Sequence, residues 1–161
     1  MSDRAEVKIL PPFVLAAALG LQVVVWILAS ARMMPGTVAL LWGLAIIAGS
    51  ILLAVLLARE IVHARTGFDV RKATTELITW EVFDFTRNPV YLWMVVLAIG
   101  VGLALNSYCS LLLAVPTGSA LYLTAIKPEE RYLEAKFSDA YRAYRDVVPR
   151  WFSVRRALST V

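Results

Sequence analysis

Two short clusters hold the residue types from which a polar site could be assembled. Arg87-Asn88-Pro89-Val90-Tyr91 offers a guanidinium, an amide and a phenol, and Lys127-Pro128-Glu129-Glu130-Arg131 offers adjacent carboxylates between cations. Such a set brings a cation and two carboxylates together beside aromatic residues. Each cluster also has an ordinary structural explanation. Asn88 before Pro89 is a good N-cap and first-turn pair, and Pro128 before two Glu residues is a good helix start with acids at the positive dipole end. What favours a site is where the clusters lie. Both border a long uncharged run, and ionisable groups at a membrane boundary are costly unless paired or used.

The elements that must position these clusters follow from where charge is missing. Leu10 to Ala31, Thr37 to Ala58 and Pro89 to Ile126 contain no Asp, Glu, Lys, Arg or His. A helix crossing a hydrocarbon layer of roughly 30 Å needs about 20 apolar residues. The first two runs each supply one crossing. The third is about twice as long and is broken near its middle by Asn106-Ser107, so it reads as two helices joined by a tight turn. The expected spans are residues 10–31, 37–58, 89–105 and 108–126. The hairpin of the last two brings the Arg87 and Glu130 clusters together. Arg32-Met33-Met34-Pro35-Gly36 is a short turn that makes an antiparallel hairpin of the first two. The first run is too long for a signal-peptide core and is followed by further spans. A soluble bundle would require amphipathic helices, and these runs are apolar all round. The expected fold is an all-α membrane protein of one domain, residues 1–161, with four transmembrane helices in two antiparallel hairpins.

Lys and Arg set the orientation. The N-terminal tail carries Arg4 and Lys8, the loop at 59–88 carries Arg59, Arg65, Arg71, Lys72 and Arg87, and eight more follow from Lys127 onward; the opposite side has only Arg32. Both ends are therefore expected in the cytoplasm, of a bacterial inner membrane or the endoplasmic reticulum. The net charge of +4 is a topology signal and gives little reason to suspect nucleic acid. Cys109 is the only cysteine and His63 the only histidine, which excludes an internal disulfide and Cys-rich or His-rich metal sites. Helix 2 is expected to run on towards His63 until Gly67 stops it. In the segment 127–152, Leu133, Phe137, Tyr141, Tyr144, Val148 and Trp151 recur at helical spacing between charges. That pattern is an amphipathic helix or helix pair, lying on the cytoplasmic surface or capping a pocket. Arg145 and Arg150 could reach such a pocket.

TTELITWEVFDFTRNPVYL (74–92), a helical hairpin, and then KPEERYLEAKFSDAYRAYRDVVPRWF (127–152) together resemble the integral membrane methyltransferases. This is the isoprenylcysteine carboxyl methyltransferase and phospholipid methyltransferase group. Its signature is Arg-His-Pro or Arg-Asn-Pro with a nearby Tyr, then a hairpin, a tandem Glu pair and an aromatic-rich tail. The likeness covers roughly residues 65–152. It implies methyl transfer from S-adenosylmethionine to a lipophilic substrate that enters from the bilayer. Carried onto this chain, it implies catalytic roles for Arg87 and Glu130. It implies cofactor contacts from Asn88, Pro89, Tyr91, Glu129 and Glu130, with Tyr144 or Tyr91 facing the sulfonium. No metal is implied, and the partners are a lipid or lipophilic small molecule and the membrane itself.

The sequence departs from the family pattern at one point. Glu81 and Val82 stand where the family carries Gly-Pro, after Leu77-Ile78-Thr79 and Trp80. A bulky charged residue in that turn would alter the pocket, so a catalytically silent relative acting as an interaction partner is the competing reading. A small transporter is disfavoured because the spans carry no ionisable residue. A nicotinamide-dependent membrane reductase shares a broadly similar helical architecture and would be separated by cofactor binding.

Overall fold

The computed structural model describes residues 7–29, 31–63, 77, 79–80 and 82–152, and the regular elements among them are all helices. They are α1 (Pro11–Leu28), α2 (Gly36–His63), α3 (Val82–Phe85), α4 (Pro89–Ala104), α5 (Tyr108–Leu112), α6 (Ala114–Leu121), a π-helical turn (Tyr122–Ile126) and α7 (Lys127–Val147). Outside the described residues lie Arg4, Arg65, Gly67, Arg71, Lys72, Ile78, Glu81, Arg155 and Arg156.

Three stretches are long and apolar enough to cross a membrane: Pro11–Leu28, Gly36–Val62 and the continuous run Tyr108–Val147. The 16 residues of α4 make a shorter apolar helix, roughly 24 Å long against a hydrocarbon core of about 30 Å. Phe13, Ile27, Leu41, Trp42, Leu52, Leu112 and Val115 are all more than half exposed. In water so much contiguous apolar surface would drive association; in hydrocarbon it costs nothing. This is the exterior of a membrane protein.

α4 is the hub of the bundle. α2 packs on it, as do α1, α5 and α6, whereas α1 and α2 make few contacts with each other despite their short connection. Close approach is permitted by glycine. A side chain at Gly43 would lie 2.6 Å from Ala104 Cα on α4, and one at Gly102 would lie 2.6 Å from Leu111 Cα on α5. Small residues at such seams let helices gain van der Waals contact where lipid supplies no hydrophobic force between them. α1 is pinned by a polar clasp: the buried Gln22 Nε2 donates to Ala98 O (2.8 Å) and Ser110 O (2.9 Å), and Ser110 Oγ donates back to Gln22 O. At the same end Asn106, with φ 52°, accepts from Met33 N and Met34 N and donates to Met34 O. That amide ties the α1–α2 connection to the α4–α5 turn.

The fourth span expected at 108–126 is not a uniform helix, and two prolines explain why. Pro116 has no N–H to offer Leu112 O, and α5 and α6 are separated by a single turn residue, Leu113, whose dihedrals stay helical. Pro128 has none to offer Thr124 O. There the helix widens into the π turn, and the Thr124 carbonyl accepts Lys8 N at 3.1 Å. The helix then runs on without interruption into α7. Elsewhere the bounds differ modestly from expectation: α1 is shorter than 10–31, and α2 runs past 58 to His63. Within α7, Ser138 (φ 44°, ψ −112°) forms a kink, so the segment is a pair of helices. Beyond the kink, Tyr141 and Val148 are buried.

Candidate functional site

The start of α4, the first turn of α7 and the tail after α7 meet at one end of the bundle. Pro89 opens α4 at its first position, where the missing N–H costs nothing. Asn88 precedes it, yet its side chain makes no capping bond. Its Nδ2 instead donates to Glu130 Oε1 (3.4 Å) and to Arg150 O (3.2 Å), and Asn88 is almost wholly buried. The amide that reads as a helix cap is thus spent on tertiary contacts. Thr86 supports it: Thr86 Oγ1 accepts from Asn88 N and donates to Arg150 O. Arg87 N donates to Pro149 O, completing the strap of the tail across the helix start.

Glu130 is the centre of the cluster. Arg150 grips its carboxylate as a fork, with Nε 3.0 and 3.2 Å from the two oxygens and Nη2 2.8 Å from Oε2. Arg87 Nη1 lies 3.4 Å from Oε1 and donates to Tyr141 OH at the same distance. The Arg87 and Glu130 side chains are 8% and 14% exposed, so these charges are largely withdrawn from water. Arg87 Nε is buried with no hydrogen-bond partner among the described residues. The Arg150 guanidinium lies over the ring of Tyr122 in the π turn, 5.0 Å from its centroid.

The two carboxyls are shifted in opposite directions. For Glu130, burial raises the pKa, but the Arg150 hydrogen bond, the Arg87 and Arg150 charges and Asn88 more than offset it and hold the group below the usual value. For Glu129, burial dominates and raises the pKa; the Tyr91 hydrogen bond opposes it and the Glu130 charge adds to it. Tyr91 OH donates to Glu129 Oε2 at 2.6 Å. Tyr141 is pushed up to about 12, first by burial and then by the Glu130 charge. Environments that separate two neighbouring carboxyls in this way prepare one to stay ionised and the other to hold or take a proton.

Of the residues singled out from the sequence, Arg87, Asn88, Tyr91, Glu129 and Glu130 are brought together here. Tyr144 stands one ring further out: its hydroxyl donates to Phe83 O at 2.6 Å, and it packs edge-on to Tyr141 with centroids 6.3 Å apart. Arg145 pairs instead with the half-buried Glu134. Sequence reasoning gave no site role to Tyr122, Thr86 or Tyr141, and left Arg150 between pocket and membrane surface. The aromatic spacing of the tail announced Tyr141, but only the Ser138 kink turns it inward.

Beside the charged cluster an open groove of about 790 Å³ runs between α4 and α6, lined by mostly apolar side chains with Ser119 among them and ending at Tyr122, Arg150 and Trp151. The chain matches the family model described as phospholipid methyltransferase over residues 38–140. A search of curated proteins finds no match. The matched stretch is more than half of the chain, and the chain belongs to the phospholipid methyltransferase family.

Proposed function

We propose that this member of the phospholipid methyltransferase family transfers a methyl group from S-adenosylmethionine to a lipophilic acceptor that enters from the bilayer. The observation that carries the reading is the meeting of Arg87, Asn88, Glu129, Glu130 and Arg150 at the head of an apolar groove. A cofactor with a carboxylate, an ammonium, ribose hydroxyls and a sulfonium requires complementary groups of each kind. Two guanidiniums suit its carboxylate, and Arg87 Nε is a buried donor with no partner among the described residues. Glu129 and Glu130 suit the ammonium and hydroxyls. Tyr144, packed edge-on to Tyr141 beside the cluster, is a ring that would face the sulfonium. When bound, the cofactor supplies an electrophilic methyl group.

The protein's part is alignment and charge. Glu130, held ionised between two arginines, fixes the cation side of the site. Glu129, with its raised proton affinity, is the carboxyl able to receive a proton from an amine or hydroxyl acceptor; a carboxylate or thiolate acceptor needs no base. Methyl transfer is an in-line displacement, so holding the partners in line supplies much of the acceleration. The reading places four crossings in the membrane, with the short α4 as the third, and puts both chain ends and the site on the Lys/Arg-rich cytoplasmic side.

The test is equilibrium binding of S-adenosylmethionine and its demethylated product to purified protein in detergent. Micromolar binding that Glu130→Ala and Arg87→Ala each abolish is the expected result. No binding by a protein shown to be folded would remove the enzyme reading.

A further inference from the structure

Helix α7 carries a bend that its own sequence does not require. No Gly or Pro lies between Glu129 and Val148, so nothing in that stretch breaks a helix. Leu133, Phe137, Tyr141, Tyr144 and Val148 also keep helical spacing across the bend. Yet Ser138 stands at φ 44° and ψ −112°, in the half of backbone space that a side chain disfavours. Strain of this kind persists only where the surroundings impose it.

What imposes it is a set of contacts made from beyond the bend. Glu134, before the kink, accepts from both Arg142 Nε (3.3 Å) and Arg145 Nη1 (2.9 Å) after it. In a straight helix those arginines would lie about 12 and 17 Å along the axis from Glu134, too far for one carboxylate to hold both. The bend is therefore sharp, and it folds residues 139–152 back over the start of α4. There Tyr144 OH donates to Phe83 O and Arg87 N to Pro149 O. Thr86 Oγ1 and Asn88 Nδ2 donate to Arg150 O, while the Arg150 side chain forks Glu130. Tyr141 and Val148 are the buried apolar anchors. Hydrogen bonds and ion pairs thus carry much of the hold, and these are contacts for which water competes. The segment also covers what lies beneath it: the Arg87 and Glu130 side chains are 8% and 14% exposed, and Arg150 already occupies the Glu130 carboxylate.

We propose that residues 139–152 form a hinged lid over the Arg87–Glu130 cluster, closed in this structure, which opens by straightening of α7 at Ser138. Opening relieves the backbone strain and releases Glu130 from Arg150; closing restores the fork and the Glu134 clasp. Two arrangements with opposing costs make a bistable element. The lid stands apart from the methyltransferase reading; only the identity of the ligand it admits rests on that reading.

The test places spin labels at Lys127→Cys and Val147→Cys, both exposed positions, in full-length Cys109→Ser protein in lipid nanodiscs. Their separation is read by pulsed electron resonance without cofactor. A straight α7 puts the two Cα atoms about 30 Å apart, and the bent one brings them closer. Ser138→Val installs a β-branched residue that resists positive φ, and Arg150→Gln undoes the fork; each is expected to raise the share near 30 Å about fivefold. Ser138→Gly, which holds the bend without strain, is expected to lower that share by a similar factor. Hydrogen exchange at the Arg87 amide, whose acceptor is Pro149 O on the lid, should quicken and slow in the same order. An unchanged short separation in folded Ser138→Val and Arg150→Gln proteins, a long one alone in the native protein, or Arg87 exchange indifferent to these substitutions would overturn the lid. Separations that shift as expected in a protein that binds no S-adenosylmethionine would support the lid and remove the methyltransferase reading alone.

Discussion

The Arg150–Glu130 fork is the contact on which the site's geometry depends, and its strength can be estimated. Hydrogen bonds to charged groups contribute about 1.5–3 kcal/mol, whereas exposed ion pairs contribute about 0.2–1 kcal/mol. Arg150 is 37% exposed and Glu130 only 14%, so the pair falls between these cases. A coupling of about 1–2 kcal/mol is expected, some five- to thirtyfold in the folded population. Arg145–Glu134 is the built-in control. Its contact is equally short at 2.9 Å, but the two side chains are 41% and 35% exposed, and its coupling should stay below about 1 kcal/mol. The assay is a double-mutant cycle with Arg150→Gln and Glu130→Gln, read by reversible unfolding in mixed micelles, beside Arg145→Gln and Glu134→Gln. Equal couplings for the two pairs would show that the fork is an ordinary surface contact, and the argument from burial and bidentate geometry would fail.

Glu129 gives a pH signature. Its folded pKa lies above the unfolded value, so the stability it contributes is present below about pH 4.3 and lost as pH rises through the folded value. Glu129→Gln, which keeps an acceptor for Tyr91, should therefore match the native protein in acid and exceed it in Tm at neutral pH; a variant less stable at neutral pH would contradict this. Lys8 acts through its backbone, so Lys8→Ala should leave stability unchanged while Lys8→Pro, which strands Thr124 O, should cost about 1–3 kcal/mol by thermal unfolding. A measurable loss in Lys8→Ala alone would refute the assignment. Ser138 holds a left-handed φ that costs a non-glycine residue about 1 kcal/mol. Ser138→Gly should raise Tm by a few degrees, and a fall would show that the kink is held by the serine side chain.

Much of this was legible in the sequence because hydrocarbon is a severe filter. The uncharged runs mark the bundle, and Asn106-Ser107 marks the turn that places Arg87 near Glu130. What the sequence hides are consequences of tertiary packing. Asn88-Pro89 is indistinguishable from a helix cap until the tail arrives to claim the amide. Pro128 reads as a helix start, since a proline at a first turn is favourable; the structure instead carries the helix through it across a π turn, with Lys8 N donating to Thr124 O. Arg150 looks like any basic residue near a membrane until the Ser138 kink carries the chain back over α4.

Those three features act on one another. The π turn sets Tyr122 beneath Arg150 and leads directly into Glu129 and Glu130, while the tail that carries Arg150 also supplies the carbonyls that hold Thr86, Asn88 and Arg87. Glu130 is already engaged by Arg87, Asn88 and Arg150, so a ligand that draws a guanidinium to itself must do so against Glu130. Ligand binding and docking of the tail therefore share the same contacts and are thermodynamically linked: whatever loosens the tail changes ligand affinity, and ligand changes the tail's hold by the same factor. Hydrogen exchange of the Tyr141–Arg150 amides with and without S-adenosylmethionine reads that factor directly. Unchanged protection at saturating ligand would show that the arginines serve the fold alone.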